Sequence, residues 1–251
     1  MPPSPPAPHA NGAVRLVVFD FDQTLTVNHV FKDLAGWSDG SHINLNPPYA
    51  LTELGQVTRI FEADRRGEFA EHGGFSAAVF GGRERIEQVR GLLRDMHGRG
   101  VVILVCTKGL PGTARKVLSD LQLLDYFAGV YGFGALFYGA HDYDAGLSVG
   151  RAPPEVRKLL SGPEYVFQET KCLLVDRLLN MWGLKGQHAV LVEDDIREIS
   201  FAMPVCRTVW VRERQGIREP HIRKLQQMTL GRGHCGGGCL AGLCPIKHVS
   251  V

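Results

Sequence analysis

The stretch VVFDFDQTLT (residues 17–26) begins with apolar residues and then places Asp20 and Asp22 on either side of Phe21. A short valine-rich run is typical of a strand that is covered on both faces of a sheet. An ionised carboxylate is costly to bury unless it has a partner. The stretch therefore predicts a buried strand whose two carboxylates find their partners elsewhere in the chain.

Other segments of the chain continue this pattern. The runs VVILVCT, AVLVED and RTVWV also predict buried strands, and GVYGFG is a weaker candidate. Amphipathic helices lie between the runs, and their apolar stripes are Ile86, Val89, Leu93 and Met96; Ala114, Val117, Leu118 and Leu121; and Leu174, Val175, Leu178, Leu179 and Trp182. Alternating buried strands and helices predict an α/β fold with a doubly wound, Rossmann-like parallel sheet. Such sheets bind ligands beyond the carboxyl ends of their strands.

The composition divides the chain of 251 residues into four parts. Residues 1–13 are rich in proline and predict a disordered leader, and residues 14–227 form the core domain. Residues 31–82 interrupt the alternation and predict a small cap insertion after the first strand, with one or two helices. Because both ends of this insertion lie near the carboxyl edge of the sheet, we expect it to cover that edge as a partial lid. Residues 228–251 are rich in Gly, Cys and His and predict a flexible tail.

Bulk properties narrow the function classes. The formal net charge of +2 gives no reason to expect nucleic acid or a membrane surface as a partner. No apolar run is long enough to span a bilayer, and the N-terminus lacks the pattern of a secretory signal. Cys106, Cys172 and Cys206 lie in apolar segments, where reduced buried thiols are the ordinary interpretation. We therefore expect a cytoplasmic protein.

The Cys and His residues of the tail, and Trp37, each allow a structural and a functional interpretation. The tail residues Cys235, Cys239 and Cys244, with His234 or His248, could form a soft-metal site, but their spacing is not C-x-x-C and the glycines around them fix no geometry. A flexible tail with exposed thiols is the favoured interpretation. Trp37 is interpreted as a packing residue rather than as a platform for substrate.

Polar residues also follow two other predicted strands. Thr107 ends VVILVCT, and Glu193, Asp194 and Asp195 come at the end of the third run. Because the carboxyl ends of parallel strands face one edge, the acidic side chains there would repel one another without a cation between them. Hard oxygen ligands of this type suit Mg²⁺. The sequence therefore predicts Mg²⁺ as a cofactor.

Lys171 is unusual because it falls in the first turn of its predicted helix. The helix macrodipole disfavours a cation there by a few tenths of a kcal/mol. A solvated surface lysine is the ordinary interpretation. The positive helix end and the ammonium group would together make a strong anion site.

Taken in order, these residues resemble the four motifs of the haloacid dehalogenase-like hydrolase superfamily over roughly residues 14–217. The matching residues are Asp20, Asp22 and Thr24 for D-x-D-x-T, Thr107 for the strand-end Ser or Thr, Lys171 for the lysine, and Asp194 with Asp195 or Glu198 for the acidic cluster. Each motif is weak alone, whereas all four in order are a strong signal. The fourth departs from the common G-D pattern because Glu193 precedes Asp194, so the second acidic group stays open between Asp195 and Glu198.

The resemblance implies a Mg²⁺-dependent phosphatase that acts on a phosphorylated substrate. Asp20 would form an aspartyl-phosphate intermediate, and Asp22 would act as general acid and base. Asp22 could reach the site only if the strand ends there and the chain turns. Its presence favours phosphoryl transfer over carbon–halogen hydrolysis, because a halide leaves without a proton.

The resemblance also implies which residues bind the two ligands. The phosphoryl group would be bound by Thr107, Lys108 and Lys171. The metal would be bound by Asp20, Asp22, Asp194 and Asp195, with Asp22 contributing its backbone carbonyl.

Other functions compete with hydrolysis. A two-component receiver domain also uses aspartates, a threonine and a lysine, but it has them in a different order along the chain. A phosphomutase or phosphotransferase would pass the phosphoryl group to an acceptor other than water, which the residues do not distinguish. A non-catalytic binding module with the same fold also stays open, although all four motif positions carry competent residues.

Overall fold

The computed structural model describes residues 3–6, 13–38 and 43–230, which form a five-stranded sheet between two layers of helices. The strands are β1 (Leu16–Phe19), β2 (Val102–Cys106), β3 (Gly129–Tyr131), β4 (Ala189–Glu193) and β5 (Arg207–Trp210). All neighbours are parallel, in the order β3-β2-β1-β4-β5. The predicted fold class is therefore confirmed, and GVYGFG does contain a strand.

The order of the sheet places β1 between β2 and β4. Phe19, the last residue of β1, is in register with Val105 of β2 and Val192 of β4. The residues that follow these three strands must therefore meet at one edge. Helices return the chain between strands, as a parallel sheet requires.

Successive residues of the strands face opposite layers of the core, as the two-residue period requires. Val17 and Phe19 face one apolar cluster, whereas Leu16 and Val18 face the other. The helices are α1 (Val30–Ala35), α2 (Glu53–Arg65), α3 (Phe75–Phe80), α4 (Arg83–Gly98), α5 (Pro111–Asp120), α6 (Asp142–Ala145), α7 (Pro154–Arg157), α8 (Lys171–Trp182), α9 (Ile196–Ala202) and α10 (Glu219–Leu230).

The three amphipathic helices of the sequence analysis are α4, α5 and α8. Nearly all residues of their predicted stripes are buried; Leu121 and Trp182 are partly buried. Gly183 ends α8 in a left-handed conformation with φ of 61°, where glycine avoids the steric cost of a Cβ atom.

The predicted cap insertion contains more helix than expected, because its described residues include α1, α2 and α3. Helices α2 and α3 pack on α5. They are therefore part of the helical layer, while both ends of the insertion contact the loop that follows β1: the Phe31 N–H donates to Asp22 Oδ1, and the Val79 carbonyl accepts from the Val27 N–H. The partial lid stays a prediction.

A second segment, residues 132–170, also lies between a strand end and the next long helix. It contains α6 and α7, and the sequence analysis did not separate it from the core. Two buried carboxylates join this segment and α5 to the cap insertion. Asp144 accepts hydrogen bonds from the backbone of Leu51 and Thr52, and Glu53 accepts them from Gly112 and Ser161.

The chain ends differ slightly from the predicted boundaries. Within the predicted leader, Pro6 is buried and its carbonyl accepts a hydrogen bond from the Arg15 guanidinium at 2.9 Å. Helix α10 continues to Leu230, three residues into the predicted tail 228–251. The Cys and His residues of the tail lie outside the described part of the chain. In the described part, no helix has both the length and the apolar character to cross a bilayer.

Candidate active site

A tight loop after β1 brings both aspartates of the opening stretch to one cavity. The strand ends at Phe19, and the Phe21 carbonyl then accepts hydrogen bonds from the backbone of Leu25 and Thr26. Gln23 takes a left-handed conformation with φ of 60° in this turn. Asp20 and Asp22, two residues apart, therefore line the same cavity of about 190 Å³. Asp22 was expected to reach the site only if the strand ended and the chain turned there, and the structure has this turn.

Lys171 is buried and lies between two carboxylates. Its ammonium group donates to Asp20 Oδ1 at 2.5 Å and to Glu193 Oε2 at 2.6 Å. Its backbone N–H donates to Glu198 Oε2 at 3.0 Å, which satisfies one of the free donors at the start of α8. Burial alone would lower the pKa of Lys171, but Asp20 and Glu193 raise it well above the usual value. The lysine is therefore a charged part of the site, and the solvated-lysine interpretation is wrong.

Glu193 is the partner that the motif comparison did not assign. It is the last residue of β4 and only 1% exposed. Its second oxygen, Oε1, accepts from the backbone N–H groups of Asp194 and Asp195 at 3.1 and 3.0 Å. Glu193 therefore holds both Lys171 and the acidic loop. The signal in the sequence was an acidic residue that ends a wholly apolar strand.

The acidic groups at this edge are a good fit for a hard divalent cation. Carboxylate oxygens of Asp20, Glu193 and Asp194 lie within 4.8 Å of one another. Asp20 Oδ2 is buried and has no hydrogen-bond partner among the described residues. Glu193 accepts at 2.6 Å from Lys171 and from two backbone N–H groups, whereas the contacts of Asp194, with Thr24 and Arg214, are longer, at 3.3 Å each. Asp20 and Asp194 are therefore the carboxylates that fit a cation best, together with the Asp22 carbonyl that the resemblance implies.

The protonation of this cluster follows from its burial. Burial raises the pKa of Asp20 to about 6, and nearby Asp194 and Asp22 add to the rise while Lys171 opposes it. Burial and the Asp20 charge raise the pKa of Glu193 to about 7, and burial and the Glu193 charge raise that of Asp194 to about 6. Without a cation, the folded protein therefore holds protons that an unfolded chain releases near pH 4.

These raised pKa values predict that Mg²⁺ stabilises the protein more at pH 8 than at pH 5.5. The contribution of the cluster to stability is present below the unfolded-state pKa and is lost as the pH rises through 6 to 7. Mg²⁺ replaces the lost protons and competes with them at lower pH. At about a hundred times its Kd, a ligand that binds only the folded state adds about 2.7 kcal/mol. Thermal melts with Mg²⁺ or a chelator at both pH values measure the difference.

A matched pair of variants tests the location of this effect. Asp194→Asn is expected to weaken Mg²⁺ binding, with activity partly restored at high Mg²⁺. Asp195→Asn is expected to keep most of the stabilisation, because Asp195 lies outside the carboxylate cluster. Equal losses in both variants would contradict the placing of Asp195 outside the metal site and of Asp194 within it.

The other residues of the fourth motif surround Lys108. Asp195 Oδ1 accepts from the backbone of Arg197 at 2.9 Å, and its Oδ2 lies 3.2 Å from Lys108 Nζ. Burial alone would raise the pKa of Asp195, but these two contacts lower it. Glu198 Oε1 lies 3.0 Å from Lys108 Nζ. Both acidic groups therefore pair with Lys108, which lines the cavity; its binding of phosphate stays a prediction.

Thr107 lies on the other side of Asp20, as expected for the residue that follows β2. Its hydroxyl accepts from the backbone of Gly109 at 2.8 Å and makes a long contact of 3.5 Å to Asp22 Oδ2. A bond of that length is weak. The hydroxyl can therefore turn to a phosphoryl oxygen at little cost.

Three basic residues that line the cavity were missed by the sequence analysis. Arg214 Nε lies 3.3 Å from Asp194 Oδ2, His29 Nδ1 lies 3.6 Å from Asp22 Oδ1, and Lys32 lies on α1. Burial alone would lower the pKa of His29, but the charge of Asp22, the contact with its carboxylate and the charge of Asp20 together raise the pKa. These residues sit in loops or on a short helix, where no periodic pattern marks them.

Comparisons with known proteins found similar solved structures. No family model and no curated protein matches the chain. One solved structure that the chain resembles is a haloacid dehalogenase-like family hydrolase from Streptococcus pneumoniae. The two sequences are 15% identical, the alignment covers 85% of this chain and 91% of that chain, and the TM-score is 0.39. Phosphoserine phosphatase in apo form gives 16% identity, coverage of 85% and 98%, and a TM-score of 0.43.

Another match is the N-terminal part of a Bacteroides fragilis protein that contains a phosphatase domain complexed with Mg. Its identity is 15%, the coverage is 86% of this chain and 40% of that chain, and the TM-score is 0.44. The parallel sheet and the motif residues at its carboxyl edge are in keeping with the resemblance to the haloacid dehalogenase-like superfamily that the sequence indicates. At such identities and TM-scores the matches carry no information about function.

Proposed function

We propose that the protein is a phosphatase that hydrolyses a phosphomonoester through an aspartyl-phosphate intermediate on Asp20. One observation carries the proposal. Asp20 is buried at a strand end, is held by Lys171 at 2.5 Å, and shares a cavity with a second carboxylate, Asp22. A carboxylate that is held in place beside a cation can act as a nucleophile, and a second carboxylate next to it can transfer the proton that the reaction needs.

In the first step a carboxylate oxygen of Asp20 attacks phosphorus. A bond forms between that oxygen and phosphorus, and the bond between phosphorus and the ester oxygen breaks. Asp22 gives its proton to the departing oxygen, which leaves as an alcohol. Lys171 stays beside the phosphoryl oxygens and offsets their charge, and the Thr107 hydroxyl donates to one of them.

In the second step water attacks the phosphorus of the intermediate. Asp22, now a carboxylate, takes a proton from the water, and the bond between phosphorus and Asp20 breaks. Inorganic phosphate leaves and both carboxyl groups return to their initial states. The use of one residue as acid and then as base needs a side chain close to both the leaving oxygen and the water. The position of Asp22 beside Asp20 supports that role.

Mg²⁺ at Asp20 and Asp194 would neutralise negative charge on the phosphoryl oxygens. Thr24 donates to Asp194 Oδ1 at 3.3 Å, and Arg214 contacts its other oxygen, so this carboxylate is held in position from two sides. Glu193 keeps Lys171 close to Asp20. The carboxylates and the lysine therefore have separate tasks.

The test is release of inorganic phosphate from a panel of phosphate esters that includes 4-nitrophenyl phosphate. We expect turnover with Mg²⁺ and its loss with a chelator. Calorimetry with Mg²⁺ shows in the same preparation whether metal binds. Metal binding without hydrolysis of any ester would favour a binding module, and transfer to added alcohols in preference to water would favour a phosphotransferase.

A further inference from the structure

Five aromatic rings form a continuous cluster beside the cavity, which we call the aromatic shelf: Phe31, Trp37, Phe133, Phe137 and Tyr138. The rings of Phe31 and Tyr138 are 4.2 Å apart, and Trp37 packs edge-on against both, at 5.5 and 6.0 Å. Phe137 lies 4.9 Å from Tyr138 and 4.3 Å from Phe133. The shelf joins the cap insertion to the segment 132–170.

The outer rings of the shelf are exposed, which packing does not require. Trp37 is 47% exposed and Phe137 is 49% exposed, and the neighbouring Leu136 is 73% exposed. Phe31, by contrast, is 4% exposed and ties the shelf to the core. Large apolar groups that are exposed together next to a cavity indicate a binding surface. Trp37 is therefore not simply the packing residue that the sequence analysis favoured.

Local hydrogen bonds hold the backbone of Trp37 and the ring of Tyr138. Gly36 ends α1 with φ of 72°, and the following Trp37 N–H donates to the Lys32 carbonyl at 2.9 Å, a bond that holds the tryptophan backbone against the helix end. The Tyr138 hydroxyl donates to the Lys108 carbonyl at 2.6 Å. A surface held in this way loses little conformational entropy when a ligand binds.

The shelf lies on the side of the general acid. The backbone N–H of Phe31 donates to Asp22 Oδ1 at 3.3 Å, and Lys108, whose carbonyl holds Tyr138, lines the cavity. Burial, with a further contribution from the Asp22 charge, raises the pKa of Tyr138 to about 12, in keeping with this proximity. Because Asp22 protonates the departing oxygen, the alcohol part of a substrate extends from the cavity on this side.

We propose that the aromatic shelf binds an aromatic ring in the alcohol part of the substrate. The substrate class is then a phosphomonoester whose alcohol carries an aromatic ring a short distance from the ester oxygen. This inference rests on the proposed phosphatase function. Trp37 and Phe137 both offer the ring exposed aromatic surface. Offset or edge-to-face contacts between rings are favourable beyond their buried area.

The experiment compares 2-phenylethyl phosphate, 2-cyclohexylethyl phosphate and ethyl phosphate with Mg²⁺ present. All three release primary alcohols, so they differ in the group that reaches the shelf rather than in the chemistry of the leaving oxygen. We expect kcat/KM to be about tenfold higher for the phenyl ester than for ethyl phosphate, with the cyclohexyl ester between them. Trp37→Ala should remove most of that preference and change kcat/KM for ethyl phosphate less than about twofold.

Phe201→Ala is the matched control, because Phe201 is an exposed phenylalanine on α9 outside the shelf. It should leave the preference intact, and Trp37→Phe should restore part of it. Equal rates on the three esters, or an equal loss on all of them in Trp37→Ala, would overturn the inference while leaving the phosphatase proposal standing.

Binding separates the two proposals if no ester is hydrolysed. Calorimetry with the same esters on the Asp20→Asn protein reports affinity without turnover. The Asp20→Asn protein should bind the phenyl ester more tightly than the ethyl ester, and the double variant that also carries Trp37→Ala should bind the two esters equally. This result would support the shelf even if the phosphatase proposal fails. Equal affinities for phenyl and ethyl esters would reject the shelf.

Discussion

Replacing Asp20 with asparagine is expected to lower kcat on every phosphate ester by about four orders of magnitude or more. The amide is a poor nucleophile, and no phosphorylated enzyme can form at this position. The measurement is phosphate release at saturating Mg²⁺, with acid quenching during turnover to detect phosphorylated protein. The native enzyme should give a phosphorylated species, and the variant should give none.

The loss of activity in Asp20→Asn supports the nucleophile assignment only if the variant is folded. Lys171 also donates to Glu193 at 2.6 Å, and this second contact does not depend on the Asp20 charge. Circular dichroism and a thermal melt should therefore report a folded protein. Rates close to those of the native enzyme in Asp20→Asn would show that the nucleophile is another group.

Replacing Lys171 with methionine is expected to affect both stability and activity. Removing one partner of a buried ionic contact leaves charge without compensation, at a cost of about 3–5 kcal/mol in the free energy of unfolding. Asp20 and Glu193 would then hold protons more tightly, and their pKa values would rise further. Since the stability of an acid with a raised pKa is lost as pH increases, the loss should be larger at pH 8 than at pH 5.5. Urea unfolding at the two pH values measures it.

Lys116→Met supplies the matched control for Lys171→Met. Lys116 is also 3% exposed and lies 2.6 Å from a carboxylate, Asp120, but that contact is on α5 and outside the site. Its replacement should cost stability while kcat stays close to the native value. Activity lost to the same extent in both variants would mean that the loss reflects destabilisation rather than the role of Lys171 at Asp20.

Local patterns of apolar residues were sufficient to predict the strands of the sheet and the helices that cover it. The valine-rich runs became strands because apolar residues in a short continuous run are buried on both faces of a parallel sheet. The stripes of α4, α5 and α8 became buried because side chains three and four residues apart share a helix face. These relationships depend only on residues that are close together in the chain.

The site was predicted in part for the same reason. Asp20, Thr107 and the acidic residues after β4 each follow an apolar strand, and the carboxyl ends of parallel strands always face one edge. The meeting of these side chains at one edge could therefore be predicted without the strand order. The strand order determines which of them are neighbours: β1 lies between β2 and β4, so Asp20 lies between Thr107 and Glu193.

What the sequence by itself determined is the class of fold and the edge at which its polar residues meet. The tertiary structure alone decided that Glu193 holds Lys171, that Asp195 and Glu198 pair with Lys108, and that Arg214 reaches Asp194. It also brought Trp37 and Tyr138 together from segments about a hundred residues apart. The physical reason is that periodicity reports which face of an element is buried, whereas the partner of a charged or aromatic side chain depends on how the loops between elements cross in space.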